Sequence, residues 1–257
     1  MDNKNDFLKG LNKEDIIIIQ RIINERLEPK KIIEDGIVGP KTLVAYQLID
    51  FNYIYDKFEY NKKKEYILNY LELAEGTHLH WNRGESNFTT MLGIYAKSFP
   101  KSEPIKYIEN IAKKNNIKRI TRKNIKYIDS LLTKRDKENL KHIIYNFYED
   151  NFMNKDINSY LGRKSTLSLF SNSINGGINR GYRSLQSALS IRVDGNFGYN
   201  SMKALKLNKL TDDEMNQKLG DYMFSFYNRI ARKNAKYKRY INGWTNRLLK
   251  LGWINNT

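Results

Sequence analysis

The chain has 257 residues, of which 40% are hydrophobic and 12% aromatic, so it can form one large domain with an appendage or two modest domains, and its composition excludes a disordered protein. Its 45 Lys and Arg residues exceed its 28 Asp and Glu residues, and the net charge of +17 favours a polyanionic partner: nucleic acid, an anionic membrane surface or a bacterial wall. Because cysteine is absent, disulfides, thiolate catalysis and cysteine-based zinc sites are excluded.

The N-terminal residues MDNKNDFLKGLNKED show neither the basic and apolar regions nor the cleavage site of a signal peptide. No later apolar run approaches the length that spans a membrane. We therefore expect synthesis in the cytoplasm without a signal peptide and no integral membrane contact.

Residues 12–48 predict two or three short helices around a sharp turn. Apolar residues recur at helical spacing in the first of them, at Ile16, Ile19, Ile23 and Leu27. The turn is EDGIVGPKT, in which Asp35-Gly36 and Gly39-Pro40 are turn-forming pairs, and Thr42 opens the next helix.

The central part of the chain predicts a helix followed by a short β excursion. Residues 51–70 form a helix or connector, and the helical face from residue 64 onward ends at Gly76, which places Glu75 at a helix C-terminus. Residues 77–95 alternate bulky and polar side chains and predict a small hairpin or irregular β-lobe. Helices follow Pro104, including residues 120–132 and a long basic C-terminal helix, so the fold class is mostly α. The basic run 113–126, which holds seven Lys or Arg and no acid, predicts a solvated helix face.

The turn of residues 35–42 has a second copy near the other end of the chain. In LQSALSIRVDGNFGYNSMKAL the equivalent residues are Gln186 for Gln20, Asp194-Gly195 for Asp35-Gly36, Gly198 for Gly39, Ser201 for Thr42 and Ala204 for Ala45. The spacing from the Asp-Gly pair onward is identical, whereas the separation between the glutamine and the Asp-Gly pair is shorter in the second copy. Two copies with a preceding glutamine favour a repeated structural unit over a chance match.

Three residues around the predicted lobe suit glycosidic bond hydrolysis, which needs a protonated acid and a carboxylate that attacks or activates water. Glu75 suits the acid because the negative end of a helix dipole and a cleft wall disfavour its ionised form. Glu85 can face it across a turn, and the Thr90 hydroxyl can share a water with Glu85. Exposed acids beside a hairpin are common, so this constellation alone does not identify an enzyme.

The chain resembles glycoside hydrolase family 108, the N-acetylmuramidases of phage lysis cassettes and some bacterial secretion systems. The family signature is EGGY, a short loop, DxGGxT, two residues and GI; here Glu75-Gly76 matches its opening, and TMLGI at residues 90–94 matches its close. The segments LFSNSINGGINRGYRSLQSAL, VDGNFGYNSMKAL and GWTNRLLKL resemble later family elements in the same order. The sequence departs from the signature after Gly76, has Glu85 in place of the Asp, and has Asn87-Phe88 in place of the GG pair.

This resemblance, which covers roughly residues 66–251, implies an α+β lysozyme-like catalytic domain with a small β-hairpin lobe, cleaving the β-1,4 bond between N-acetylmuramic acid and N-acetylglucosamine. Glu75 would be the catalytic acid, with Glu85 and Thr90 orienting water. Asn175, beside two glycines, and Trp81, which can stack on a sugar, are the candidate substrate-binding residues, although a helix C-cap and a packing role are the respective alternatives.

The N-terminal unit resembles small helical peptidoglycan-binding modules. We expect this module at residues 1–55, a muramidase domain at 56–257, and a second peptidoglycan-binding element at about 165–257. Peptidoglycan is the expected partner, with no cofactor, no metal and no specific nucleic acid, because His78 and His80 lack a third ligand and no nucleic-acid-binding module is recognisable. The enzyme would act on the wall as a monomer after release or export by a holin or a secretion system. A lytic transglycosylase, a non-catalytic wall-binding or virion protein, and a nucleic-acid binder are the alternatives.

Overall fold

A computed structural model describes residues 3–27, 31–81 and 86–233, with side chains from residue 6 onward, and this part of the chain is mostly α-helical. Its helices are α1 (Asn3–Lys9), α2 (Lys13–Arg26), α3 (Pro40–Leu48), α4 (Phe51–Glu75), α5 (Glu103–Lys114), α6 (Ile125–Leu131), α7 (Lys134–Phe152), α8 (Lys155–Ser159), α9 (Arg163–Gly176), α10 (Ile178–Ala188), α11 (Tyr199–Lys206) and α12 (Asp212–Lys233), with a short 3-10 helix at Met91–Gly93. The predicted mostly-α class is confirmed. None of these described helices is long and apolar enough to cross a membrane.

The predicted β-hairpin between residues 77 and 95 is not formed by the described residues. Thr89 makes two isolated antiparallel bridges, one to His80 and one to Tyr95, and neither extends into a strand. Strands do not form because residues 91–93, two residues after Thr89, form the 3-10 helix and end the extended conformation of the chain. The lobe is therefore an irregular loop fastened by single-residue pairs.

The sequence predicts a solvated helix face for the basic run 113–126, but the structure does not form one. α5 ends at Lys114, α6 begins at Ile125, and the residues between them form a loop. Asn124 accounts for the late start of α6, because its side-chain oxygen accepts the Thr121 N–H at 2.7 Å and its amide donates to the Arg119 carbonyl at 2.9 Å. Such local side-chain bonds compete with helix formation. Most of the basic side chains of this run therefore project from a turn.

The chain divides into two compact units, Met1–Glu65 and Tyr66–Thr257, and α4 contributes residues to both. The core of the first unit is built by α1, α2, α3 and the first part of α4. Its buried residues are Leu8, Ile19, Ile22, Ile23, Ala45, Tyr46, Ile49, Ile54 and Phe58. Asn12 caps α2 by accepting the Asp15 N–H at 2.9 Å, and Pro40 occupies the first turn of α3, where its missing N–H costs nothing.

The second unit has two apolar clusters. The larger one joins the end of α4, the lobe, and α5, α6, α7, α9 and α12, with Leu71, Met91, Ile108, Ile144 and Phe170 among its most buried members. The smaller one includes Ile157, Leu185 and Leu219 and underlies α8, α10 and α12. α9 belongs to both clusters, and every residue from 165 to 173 is buried. It is the central helix of this unit.

A polar seam along α9 fixes its contact with α12. The Asp212 carboxylate accepts the N–H groups of Lys164 and Ser165, at 3.0 and 2.9 Å, and so caps the first turn of α9 from another helix. One turn further, the Ser168 hydroxyl donates to the Asn216 side chain. Buried polar groups need such partners, so the seam sets the register between the two helices.

In the first unit, buried Gln20 organises the turn between α2 and α3. Its side-chain oxygen accepts the Gly36 N–H at 2.8 Å, and its amide donates to the Asp35 carboxylate at 2.9 Å, the Ile37 carbonyl at 3.1 Å and the Thr42 hydroxyl at 3.4 Å. Gly36 has φ of +73°, which disfavours a side chain there. The Gln20 amide and then the Ile37 N–H hold the pKa of Asp35 below its usual value.

The second unit contains the same arrangement, and we call both copies the glutamine-turn motif. Gln186 accepts the Gly195 N–H at 2.8 Å and donates to Asp194 at 2.8 Å, the Asn196 carbonyl at 3.0 Å and Ser201 at 3.3 Å. The Asn196 N–H and then the Gln186 amide hold the pKa of Asp194 below its usual value. The correspondence predicted from the sequence is confirmed, because the glutamine side chain makes the same four hydrogen bonds in both copies.

Candidate active site

Glu75 is the last residue of α4, and its side chain is half-buried. The helix ends there because Gly76 adopts φ of +81° while its N–H still donates to the Glu72 carbonyl at 3.0 Å. A residue at this end of a helix lies beside the unpaired carbonyls of the last turn. The predicted position of Glu75 at a helix C-terminus is therefore confirmed.

The backbone of the lobe packs directly against the Glu75 side chain. Gly93 has φ of +93°, and a Cβ atom placed on it would lie 2.8 Å from Glu75 Cγ and 3.1 Å from its Oε2. Only a glycine permits this approach, because any side chain would collide with the carboxyl group. The backbone at Gly93 therefore restricts the directions in which the Glu75 carboxyl group can point.

Leu92, next to Gly93, holds a strained conformation that the surrounding structure enforces. Its φ of +59° is in the left-handed region, which is uncommon for a leucine. Its N–H donates to the Gly76 carbonyl at 3.0 Å, its carbonyl accepts the Tyr148 hydroxyl at 2.8 Å, and its side chain is fully buried. Strain held this firmly is characteristic of functional sites.

Tyr148 connects this loop to α7 and lies in the electrostatic field of Glu75. Burial raises the pKa of Tyr148 strongly, and the nearby Glu75 and Tyr70 raise it further. The phenol therefore stays neutral and keeps its proton for the Leu92 carbonyl. Tyr148 is a positioning residue for the loop that faces Glu75.

Thr90 is fully buried, and its hydroxyl is engaged within the lobe. It donates to the Met91 carbonyl at 2.7 Å and accepts the Ile94 N–H at 3.1 Å, while the Thr90 N–H donates to the Ile94 carbonyl at 2.9 Å. These bonds close the turn that presents Gly93. The structure thus gives Thr90 a role in shaping the loop, and its contact with a catalytic water stays a prediction.

The structure describes two of the three remaining predicted residues, Asn175 and Trp81. Glu85 lies outside the described residues. Asn175 is exposed in the last turn of α9, where its amide donates to the Ser171 carbonyl at 2.8 Å, and the Ser171 hydroxyl is 3.2 Å from the Tyr70 hydroxyl. Trp81 is half-buried against the larger core cluster and also lines a surface groove.

Two histidines of the lobe have structural partners. His78 Nδ1 lies 2.7 Å from Asp129 Oδ2, and the other Asp129 oxygen accepts the Leu79 N–H at 2.9 Å. The backbone of His80 forms the bridge to Thr89. Among the described residues, no cluster of three or more His, Asp and Glu side chains is arranged to hold a metal ion.

Sequence reasoning did not assign roles to Leu92, Gly93 or Tyr148. Gly93 was part of the motif that resembles the hydrolase signature, but nothing in the sequence shows that its backbone meets Glu75. Tyr148 reads as a core aromatic because it shares an apolar helix face with Tyr145 and Phe152. A buried tyrosine that serves a single distant carbonyl leaves no local sequence signal.

Comparison with known proteins gives one family match. Residues 180–249 match the family described as "Predicted Peptidoglycan domain", and the matched range includes Gln186, Asp194 and Ser201 of the second glutamine-turn motif. This match supports association with peptidoglycan. The structure of SagA from Brucella abortus is similar over 74% of this chain and 92% of that chain, at 17% identity and a TM-score of 0.47. The comparison with curated proteins finds no significant match.

Proposed function

We propose that this protein is a peptidoglycan hydrolase, an N-acetylmuramidase that uses Glu75 as its general acid. The observation that carries the proposal is the packing of the Glu75 carboxyl, at the end of α4, against the strained Leu92-Gly93 backbone. The match of residues 180–249 to a predicted peptidoglycan domain supports the choice of polymer. The resemblance of the segment around Glu75 to family 108 supports the choice of bond, the β-1,4 link between N-acetylmuramic acid and N-acetylglucosamine.

In this mechanism Glu75 donates its proton to the glycosidic oxygen as the bond to the anomeric carbon breaks. The backbone at Gly93 limits the rotamers of Glu75, so the acid is oriented before the substrate binds. A water attacks the opposite face of the sugar, and Glu85 is the proposed base for that water. Glu85 accepts the proton that the water loses, and exchange with solvent then deprotonates Glu85 and reprotonates Glu75.

The rest of the chain would hold the enzyme on the wall. The family match covers the second glutamine-turn motif, and the first copy in residues 20–42 has the same hydrogen bonds. The net charge of +17 complements the carboxylates and phosphates of a bacterial wall. We propose that the protein acts as a monomer outside the cytoplasm, after release or export by a holin or a secretion system.

The test is digestion of isolated sacculi by the parent protein and by Glu75→Gln, followed by turbidity and by mass spectrometry of reduced products. Losing the proton donor lowers the rate by about 10²- to 10⁴-fold. Glu72→Gln is the matched control, because Glu72 lies one turn earlier on α4 and pairs with Lys141 rather than with the lobe. Undiminished digestion by Glu75→Gln contradicts the assignment of the acid, and binding without digestion by the parent indicates a non-catalytic wall protein.

A lytic transglycosylase is the second candidate, and the position of Thr90 favours it. That reaction needs the acid but closes an anhydro ring without water, so it has no need of a threonine that orients one. The Thr90 hydroxyl is already bonded to Met91 and Ile94 in the lobe. Anhydro products are lighter by one water and cannot be reduced, so the same mass spectra distinguish the two reactions.

A further inference from the structure

A groove of about 600 Å³ lies on the lobe side of the second unit, between the lobe and the loop that joins α5 to α6. Trp81 and residues 86–88 line it on the lobe side, and Lys113, Lys118 and Arg119 line it on the opposite side. The segment that supplies Ser86, Asn87 and Phe88 continues along the chain to Gly93, which packs on Glu75. The lobe therefore both lines the groove and packs against Glu75.

The basic wall of this groove is a fixed turn. Ile117 and Ile120 pack against the larger core cluster, so the two residues between them, Lys118 and Arg119, are left exposed at the groove. Asn116 has φ of +59°, and the Ile117 N–H donates to the Ala112 carbonyl at 3.0 Å. The amide of Asn124 closes the other end of the turn on the Arg119 carbonyl. The spacing of the two cations is thus set by the backbone.

Among the described lining residues of the groove, basic side chains outnumber acidic ones. Lys113, Lys118 and Arg119 are exposed, and none of them forms an ion pair with an acid among the described residues; Glu109 is the one acid among the described lining residues. Such a cluster attracts oxyanions, and arginine binds carboxylates through two parallel hydrogen bonds.

Trp81 gives the groove an apolar surface next to these cations. Its indole is half-buried and contacts the larger core cluster, so its position is fixed while part of the ring faces the groove. A ring of this kind packs on the apolar face of a sugar or on an aliphatic side chain. The groove therefore combines an aromatic surface with exposed cations, of which Lys118 and Arg119 lie next to each other on the turn.

We infer that this groove binds the peptide stems of the wall glycan, with the stem carboxylates on Lys118 and Arg119 and the adjoining sugar or lactyl group on Trp81. The inference rests on the proposed function, and it identifies stem-bearing strands as the preferred substrate. In peptidoglycan, carboxylates are carried close to the sugar ring, which is the combination that an aromatic surface beside two cations complements. A bare neutral glycan would lack partners for the cations.

The test compares two double variants of the full chain, each in the Glu75→Gln background so that binding is measured without cleavage. Lys118→Ala/Arg119→Ala removes the two groove cations of the α5–α6 loop and leaves Lys113 in place. Arg122→Ala/Lys123→Ala is the matched control, since it removes the same charge from the same loop at exposed residues that are not among the described lining residues. The probes are sacculi stripped of wall phosphate polymers, the same sacculi with their carboxylates amidated, and sacculi that retain the phosphate polymers.

We expect the groove variant to bind stripped sacculi about 3- to 10-fold more weakly than its parent, because each exposed charge contact contributes modestly. The control variant should change binding by less than about twofold. On amidated sacculi, the groove variant and its parent should bind equally.

Three results would overturn the inference: equal losses in both double variants, a loss that persists on amidated sacculi, or a loss seen only when phosphate polymers are present. The last result would assign the groove to phosphate instead. If the parent binds no sacculi, the proposed function itself fails, whereas a parent that binds and a groove variant that binds equally well contradict this inference alone.

Discussion

Gly93 shows how a single residue without a side chain can position a functional group. The Glu75 carboxyl occupies the space that a Cβ atom at residue 93 would need, and Leu92 accepts a left-handed conformation so that the backbone can reach it. Such conformations cost about 1–3 kcal/mol each and persist only where neighbouring contacts enforce them. Here the enforcing contacts come from Gly76 and Tyr148.

This arrangement predicts different outcomes for alanine at the two glycines beside Glu75. Both have positive φ, so either substitution should lower the free energy of unfolding by about 1–2 kcal/mol. At Gly93 the new Cβ would lie 2.8 Å from Glu75 Cγ, whereas at Gly76 no atom other than those of its two chain neighbours lies within 4 Å of a Cβ. We therefore expect Gly93→Ala to slow sacculus digestion roughly 10- to 100-fold per folded molecule, and Gly76→Ala to retain most of the activity.

Urea unfolding monitored by circular dichroism gives the stability change and the folded fraction of each variant, and turbidity gives the rate. Gly93→Ala protein that digests sacculi at the parent's rate would mean that the packing of Glu75 against residue 93 has no part in catalysis.

At the scale of elements, the glutamine-turn motif shows how a side chain can replace secondary structure. One amide group satisfies the backbone of a tight turn and also reaches the first turn of the next helix, in both α3 and α11. The Asp carboxylate in each motif has a lowered pKa, so its contribution to stability is present above the unfolded value of about 3.9 and is lost as the pH falls through the folded value.

Gln186→Ala should destabilise the second unit by about 1–3 kcal/mol, because it leaves the buried Gly195 N–H without its partner. Alanine favours a helix, so the loss cannot come from propensity. Tryptophan fluorescence during urea unfolding follows this unit, since Trp81, Trp244 and Trp253 all belong to it. Gln217→Ala, on an exposed face of α12, is the control and should change stability by less than about 0.5 kcal/mol. Equal stability of the two variants would show that the turn does not depend on the glutamine.

At the scale of the whole molecule, charge and fold contribute separately to the proposed binding. The net charge of +17 acts over the Debye length, whereas the groove and the glutamine-turn motifs act by contact. The basic residues of the α5–α6 loop contribute in both ways: all of them add to the long-range positive charge, and two of them line the groove.

Binding to sacculi should therefore weaken steeply with salt, as the Debye length falls from about 10 Å at 0.1 M to about 3 Å at 1 M. A pull-down of the Glu75→Gln protein with sacculi over this range of NaCl measures the effect. Sacculi with amidated carboxylates and no phosphate polymer are the control, and their weaker binding should be almost independent of salt. Salt-independent binding to untreated sacculi would exclude a contribution from the excess charge.

Much of this structure follows from sequence patterns, and the exceptions have physical causes. Three sequence signals agree with the structure. They are the apolar spacing of α2, the end of α4 at Gly76, and the equivalence of Gln20 and Gln186 in the two copies of the turn. The hairpin prediction was wrong because the alternation of bulky and polar side chains in residues 77–95 comes from a loop. That loop packs alternate side chains into the core without pairing strands. The partnership of Glu75 with Gly93 and Tyr148 depends on tertiary contacts that no local pattern records.

The two glutamine-turn motifs differ in the separation between glutamine and aspartate, which is 15 residues in the first and 8 in the second. One turn geometry is thus compatible with connections of very different length, as expected when loop closure costs grow slowly with length. The shorter connection, around Arg192 and Val193, is exposed and can accept an inserted peptide without disturbing the motif. Because the chain has no cysteine, one cysteine in that insertion would be a unique thiol for attaching a fluorophore, so that single molecules could be followed on a cell surface.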